Sequence, residues 1–211
     1  MAHDTLDPAV PPRLPSAQEQ YDARFMDQYS NVLRLYFNRL SNLTSSLISP
    51  TGGQYVDFPN GLFFNTASQT AAAINTAYAM TFNSTDITNG VYIGSPTSRV
   101  YVDTVNLYNI QFSAQLINTA GGAHNVWIWL RKNGTDVPDS ATTLRLQGNN
   151  TELVAAWNFL LSMNAGDYFE LMWEVSDTSV FLQYDAATAV HPAIPSVILT
   201  VTDNISSRGA T

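Results

Sequence analysis

The stretch Tyr108-Asn109-Ile110-Gln111-Phe112-Ser113-Ala114-Gln115-Leu116 alternates apolar and polar residues without a break. A period of two places the tyrosine, the aliphatics and the phenylalanine on one face and the amides and Ser113 on the other, as a half-buried β-strand requires. Downstream, Val126, Ile128 and Leu130 alternate with Trp127, Trp129 and Arg131. Both faces of that segment are bulky, so it is expected to be covered on both sides. Asn133-Gly134 then supplies a tight hairpin turn. Ala155, Trp157, Phe159 and Leu161 share a face of the next strand, and Asn164-Ala165-Gly166-Asp167 turns the chain back. Phe169, Leu171, Trp173 and Val175 then share a face, which makes Trp173 a core residue. The opposite assignment turns Tyr168, Glu170, Met172 and Glu174 inward and buries two carboxylates, so it is rejected on cost. Val180, Leu182 and Tyr184 make another strand, and Val197, Leu199 and Val201 the last. Shorter candidates lie at 78–82, 91–93, 100–102 and 144–146. About eight to ten short strands with no helix between them predict an antiparallel β-sandwich.

Toward the N-terminus the texture changes. Residues 1–15 carry Pro8, Pro11, Pro12 and Pro15 and read as an extended arm. Ser16 and Glu19 form a capping-box pattern that predicts a helix over 16–48. Its apolar stripe is Phe25, Tyr29, Val32, Tyr36, Leu40, Leu43 and Leu47, an eleven-residue repeat taken twice. Such a repeat keeps the stripe almost straight or winds it slightly right-handed. The stripe either packs on the sandwich within one subunit or joins a bundle between subunits. Ser49-Pro50-Thr51-Gly52-Gly53 detaches it from the downstream strands and favours the bundle. The expected organisation is an arm (1–15), an attachment and oligomerisation helix (16–48), a linker (49–57), a sandwich (58–205) and a tail (206–211).

Composition narrows the function. Of the 211 residues only 12% are charged, while 45% are hydrophobic. Asn, Thr, Ser and Gln supply the remaining polarity, giving a wet surface that does not depend on charge. Nine basic residues stand against seventeen acidic ones, a net charge of −8. Arg131-Lys132 is the one adjacent basic pair, so neither a nucleic-acid footprint nor a polybasic membrane contact is expected. With no cysteine there is neither a disulfide framework nor a thiolate metal site. Their absence favours assembly in a reducing cytosol. The first ten residues are polar and acidic, unlike a secretory leader, and no run is long and apolar enough to span a bilayer.

Residues able to carry chemistry are sparse. His3, His124 and His191 are scattered and share no ligand spacing. Glu170 and Glu174 flank Met172 on the polar side of one strand and are expected to line a solvated or interface face, not a glycosidase cleft. Asp136 and Asp139 lack calcium-loop spacing and read as a polar turn. No phosphate cradle or nucleophile elbow is present, so no catalytic residue, cofactor or metal is expected.

The stretch 99–116, Arg-Val-Tyr-Val-Asp-Thr-Val-Asn-Leu-Tyr-Asn-Ile-Gln-Phe-Ser-Ala-Gln-Leu, resembles the central strands of the jelly roll shared by tumour necrosis factor and the complement globular head. The hairpin Trp127-Ile-Trp-Leu-Arg-Lys-Asn-Gly134, the strand–Gly166-Asp167–strand segment and the closing Pro195-Ser-Val-Ile-Leu-Thr-Val201 are similar to that family's later elements. Taken with the opening Phe58-Pro-Asn-Gly-Leu-Phe63, the ending His191-Pro-Ala-Ile-Pro-Ser196 and the Tyr-containing helical leader, the chain resembles structural proteins of tailed bacteriophages. The resemblance implies an antiparallel jelly roll preceded by a helix and a Pro-rich arm. It implies a homotrimer on the virion, contacting other virion proteins (capsid, portal or tail), and it transfers no catalytic residue. The alternative is the receptor- or glycan-binding tip of a tail fibre, with a host surface glycan as ligand.

Overall fold

The computed structural model describes residues 10–14, 16, 20, 22–48 and 58–203. The chain divides into two compact units, 1–57 and 58–211. In the first, the helix α1 (Ala23–Ile48) begins later than the sequence suggested. Ser16 and Gln20 are not helical, and Glu19 lies outside the described residues. The N-cap is Asp22: its Oδ1 accepts the amide of Arg24 at 2.9 Å and its carbonyl accepts that of Met26 at 3.1 Å. An aspartate there satisfies one of the orphan donors of the first turn and its charge suits the positive end of the helix dipole.

The second unit is mainly β, with two seven-stranded sheets. The first contains β1 (Asn60–Asn65), β2 (Gln69–Thr70), β4 (Ser84–Asn89), β7 (Asn106–Asn118), β11 (Thr151–Met163), β13 (Val180–Leu182) and β14 (Val197–Asp203). The second contains β3 (Tyr78–Ala79), β5 (Val91–Ile93), β6 (Val100–Val102), β8 (Ala123–Lys132), β9 (Thr135–Asp136), β10 (Thr142–Gln147) and β12 (Tyr168–Val175). Every pairing is antiparallel, and four of them nest. β1 pairs with β14, β6 with β12, β7 with β11, and β8 with β10. A ribbon folded back on itself in this way and wrapped into two layers is a jelly roll.

The alternation that suggested the strands decides which residues lie between the layers. Tyr108, Ile110, Phe112, Ala114 and Leu116 of β7 are buried, as are Val126, Ile128 and Leu130 of β8. Phe169, Leu171, Trp173 and Val175 of β12 complete the middle of the core. Trp173 is 1% exposed and its ring lies 6.2 Å from that of Tyr78. Tyr108 is held by its hydroxyl, which lies 2.8 Å from the hydroxyl of Thr104 and donates to the Thr104 carbonyl at 2.9 Å. Burial pushes that phenol above its ordinary pKa.

Some elements differ from the sequence reading. Only Tyr78–Ala79 of the 78–82 candidate pairs as a strand, although Met80 and Phe82 beyond it are fully buried. Tyr184 falls outside β13. β1 and β4 carry no clean apolar alternation: Gly61 interrupts the first, and the second is a polar edge with a register shift opposite Leu62/Phe63. The Asn133-Gly134 hairpin forms as expected, with both residues at positive φ, 48° and 81°.

That hairpin is tied to the neighbouring turn by Asp167. Its carboxylate accepts the Asn164 amide at 2.8 Å and the Asn133 side-chain amide at 2.7 Å, and pairs with Lys132 Nζ at 2.9 Å. The Asn164 amide, then Lys132 and Asn133, hold the Asp167 pKa down to about 2 from 3.8. The fold therefore favours the charged form. Its contribution is complete above pH 3.8 and is lost as pH falls toward about 2. Asp167→Asn should flatten the dependence of the denaturant midpoint on pH in that window. An unchanged acid limb would show that Asp167 does not couple to folding.

Candidate functional site

The two outward faces of the sandwich differ in chemistry. On the first sheet three cross-strand rows run from β4 to β11: Ser84–Phe64–Ile198–Ser113–Ala156, Ile87–Leu62–Thr200–Gln111–Asn158 and Asn89–Asn60–Thr202–Asn109–Leu160. None of these positions is charged. The nearest charges stand at the margins: Asp86 in the irregular edge strand, Glu152 at one end of β11 and Asp203 at the end of β14. The apolar members sit on opposite sides. Phe64, Leu62, Ile198 and Ile87 cluster around β1, while Val154 and Leu160 project from β11, 53% and 56% exposed. Between them runs the amide and hydroxyl row of β7. On the β1 side Phe58, Leu62, Ile87 and Thr200 bound a groove of about 440 Å³.

The second sheet turns aromatics and charges outward together. Tyr92, Tyr101 and Tyr168 form a cross-strand row, with ring centroids 5.6 and 5.2 Å apart. Gly94 allows the 94–99 loop to lie on this row, because a Cβ there would overlap the Tyr101 ring. From that loop the Arg99 guanidinium sits 4.5 Å over the Tyr168 ring, a cation–π contact. The loop also corrects the expectation for Glu170. Far from being solvated, Glu170 is 7% exposed: Ser98 Oγ donates to it at 2.6 Å and Arg99 Nε lies at 3.9 Å. Glu170 and half-buried Glu174 therefore do not share one open, solvated face.

The expectation that β8 is covered on both sides holds only in part, since Trp127 and Trp129 are half-buried on its outer side. Asp136 is likewise more than a polar turn residue. Its Oδ1 accepts Trp129 Nε1 at 2.9 Å and Arg131 Nε at 2.7 Å, and these two bonds, Arg131 first, hold its carboxyl below the usual range.

The remaining residues singled out in the sequence stay apart. Along α1, Phe25, Tyr29, Val32, Tyr36 and Leu43 are half-buried and Leu40 and Leu47 are exposed. Val10 and Pro12 of the arm, with Val32, Leu35, Tyr36 and Arg39, bound a groove of about 490 Å³ along the helix. His124 lies 3.8 Å from Asp177 and 3.1 Å from the Gly121 carbonyl, whereas His191 meets the carbonyl of Pro192 at 2.9 Å. His3 lies outside the described residues. Among the described residues no group of three or more His, Asp or Glu could hold a metal ion. Aromatic and uncharged character fall on separate faces: the aromatic face is charged, and the uncharged face carries one aromatic, Phe64, in its three rows.

No family model matches the chain. No curated protein matches it either. Among solved structures, the globular domain of zebrafish complement 1qA protein aligns with 70% of this chain and 99% of its own length, at 14% identity and a TM-score of 0.42. The jelly-roll assignment stands on the nested strand pairing of the two sheets.

Proposed function

We propose that this chain is a non-enzymatic structural protein of a tailed-bacteriophage particle: a homotrimeric fibre or capsid decoration, anchored by its arm and helix, with the jelly roll projecting. The observation that carries the self-association is the uncharged outer face of the first sheet. Copies that each bear a net charge of −8 repel one another. They can approach closely only where charge has been removed, and the cores of protein interfaces are depleted of charge. The one-sided distribution of apolar residues favours a ring over a twofold pair. The β11 side of one copy, with Val154 and Leu160, fits the β1 side of the next, with Phe64 and Leu62. Such a head-to-tail contact gives a closed ring where its rotation is one-third of a turn. The place on a virion rests on the motif resemblance carried by Phe58-Pro-Asn-Gly-Leu-Phe63 and the closing segment.

Light scattering of the full chain should give three times the 23.2 kDa chain mass. A monomer at micromolar concentration would sink the trimer, and a map of the intact particle without this chain would sink the virion assignment. The helix is tested separately. Leu40→Asp puts an unpaired carboxylate on the stripe, where an inter-subunit bundle must bury it. It should weaken assembly or particle attachment while the β-sheet circular dichroism signal persists. Loss of that signal would show that α1 belongs to the sandwich core.

A further inference from the structure

The outer face of the second sheet has no part in the proposed self-association, yet it presents two indoles side by side. Trp127 and Trp129 are two residues apart on β8, so their rings project from the same face about 7 Å apart along the strand. They differ in how they are held. Trp129 is pinned through its N–H to Asp136, which is itself locked to Arg131. Trp127 Nε1 has no acceptor among the described residues and is not sealed from water. In register, Trp127 stands between Thr143 of β10 and Glu174 of β12. The row therefore offers a hydroxyl, an indole face with a free donor, and a carboxylate.

We propose that this row is a binding site for a neutral, hydroxyl-rich glycan, with Trp127 as the stacking platform, Trp129 extending it, and Thr143 and Glu174 as hydrogen-bonding partners. Indole faces cover the C–H faces of sugar rings while their polar tips stay wet. Glu174 accepts from sugar hydroxyls, and the Trp127 N–H donates to one. The charge arrangement favours the neutral class: Arg131 and Arg99 are closed in ion pairs with Asp136 and Glu170, and Arg145, exposed opposite Asn125 on the same face, is a single cation set against Glu174 and makes no patch for an acidic polymer. A protein partner is disfavoured by the same charges, which are scarce at the cores of protein interfaces.

The test is intrinsic tryptophan fluorescence of the full chain, titrated with soluble neutral hexasaccharides of glucose, mannose, galactose and N-acetylglucosamine. Saturable quenching by at least one is expected. Trp127→Ala should weaken that binding by about tenfold or more and Trp127→Phe by much less, since a phenyl ring still stacks. Because Trp127 is half-buried, melting is measured for each variant. If Trp127→Ala does not stay folded, Glu174→Ala on the same row should lower affinity by about threefold or more, roughly the loss of one hydrogen bond. Absence of quenching by all four sugars at millimolar concentration overturns the proposal. So does binding that survives at full strength in folded Trp127→Ala or, where that variant does not fold, in Glu174→Ala. Light scattering on the same samples keeps this result distinct from the oligomeric state, which the glycan site does not require.

Discussion

Trp173→Ala is expected to lower the stability of the sandwich by about 3–5 kcal/mol, the usual cost of deleting a large buried aromatic. Trp173 is the largest fully buried side chain among the described residues. It lies on β12, the strand that pairs with β8 on one edge and with β3 and β6 on the other. A cavity there cannot be filled by collapse of an edge strand, because both neighbours are held in register. Domains are stable by only about 5–15 kcal/mol, so a large share of the folded population is at risk. Thermal melting decides the matter. An unchanged melting temperature with altered ligand binding would mean that Trp173 serves the surface.

The second large effect concerns assembly. Ile198→Asp should convert the proposed trimer to a monomer while leaving each sandwich folded. Ile198 sits at the centre of its row, between Phe64 and Ser113, and is half-exposed in the isolated chain. In a closed ring the substitution buries an unpaired carboxylate at each contact, at a cost of about 3–5 kcal/mol per contact. Gln147→Asp, exposed on the second sheet, serves as control and should leave the mass unchanged. A trimer that persists in Ile198→Asp would place the interface elsewhere.

The sequence disclosed strands where one face is buried and the other wet, as in β7, where a period of two is written residue by residue. It was nearly silent about edge strands. Ser84–Asn89 is almost wholly exposed, so burial selects no pattern there. The helix start was misplaced because a Ser-x-x-Glu pattern is short and recurs by chance, whereas the working cap, Asp22, has no second signature residue. What lies on the outer faces was legible only as composition. That Glu170 is covered depends on a loop more than seventy residues earlier, Ser98 with Arg99, and no local pattern announces so distant a contact. The same holds for the separation of the aromatic face from the uncharged one, which arises from sheet membership and becomes visible only once strand order is known.

The nested pairing has a further consequence. Because β1 and β14 are neighbours, Asn60 lies opposite Thr202, and the Asp203 amide donates to the Pro59 carbonyl at 3.0 Å. The chain thus enters and leaves the jelly roll at one end. The turns near 66–69, 118–123, 147–151 and 176–180 gather at the other. A domain with adjacent entry and exit points behaves as a removable cassette. It can be spliced into a host loop with little strain, or closed by a short peptide and reopened at an exposed turn such as Gly121-Gly122. A payload fused after Asp203 emerges beside the incoming strand and leaves the opposite rim unobstructed, so the fold is suited to carrying foreign peptides as a display scaffold.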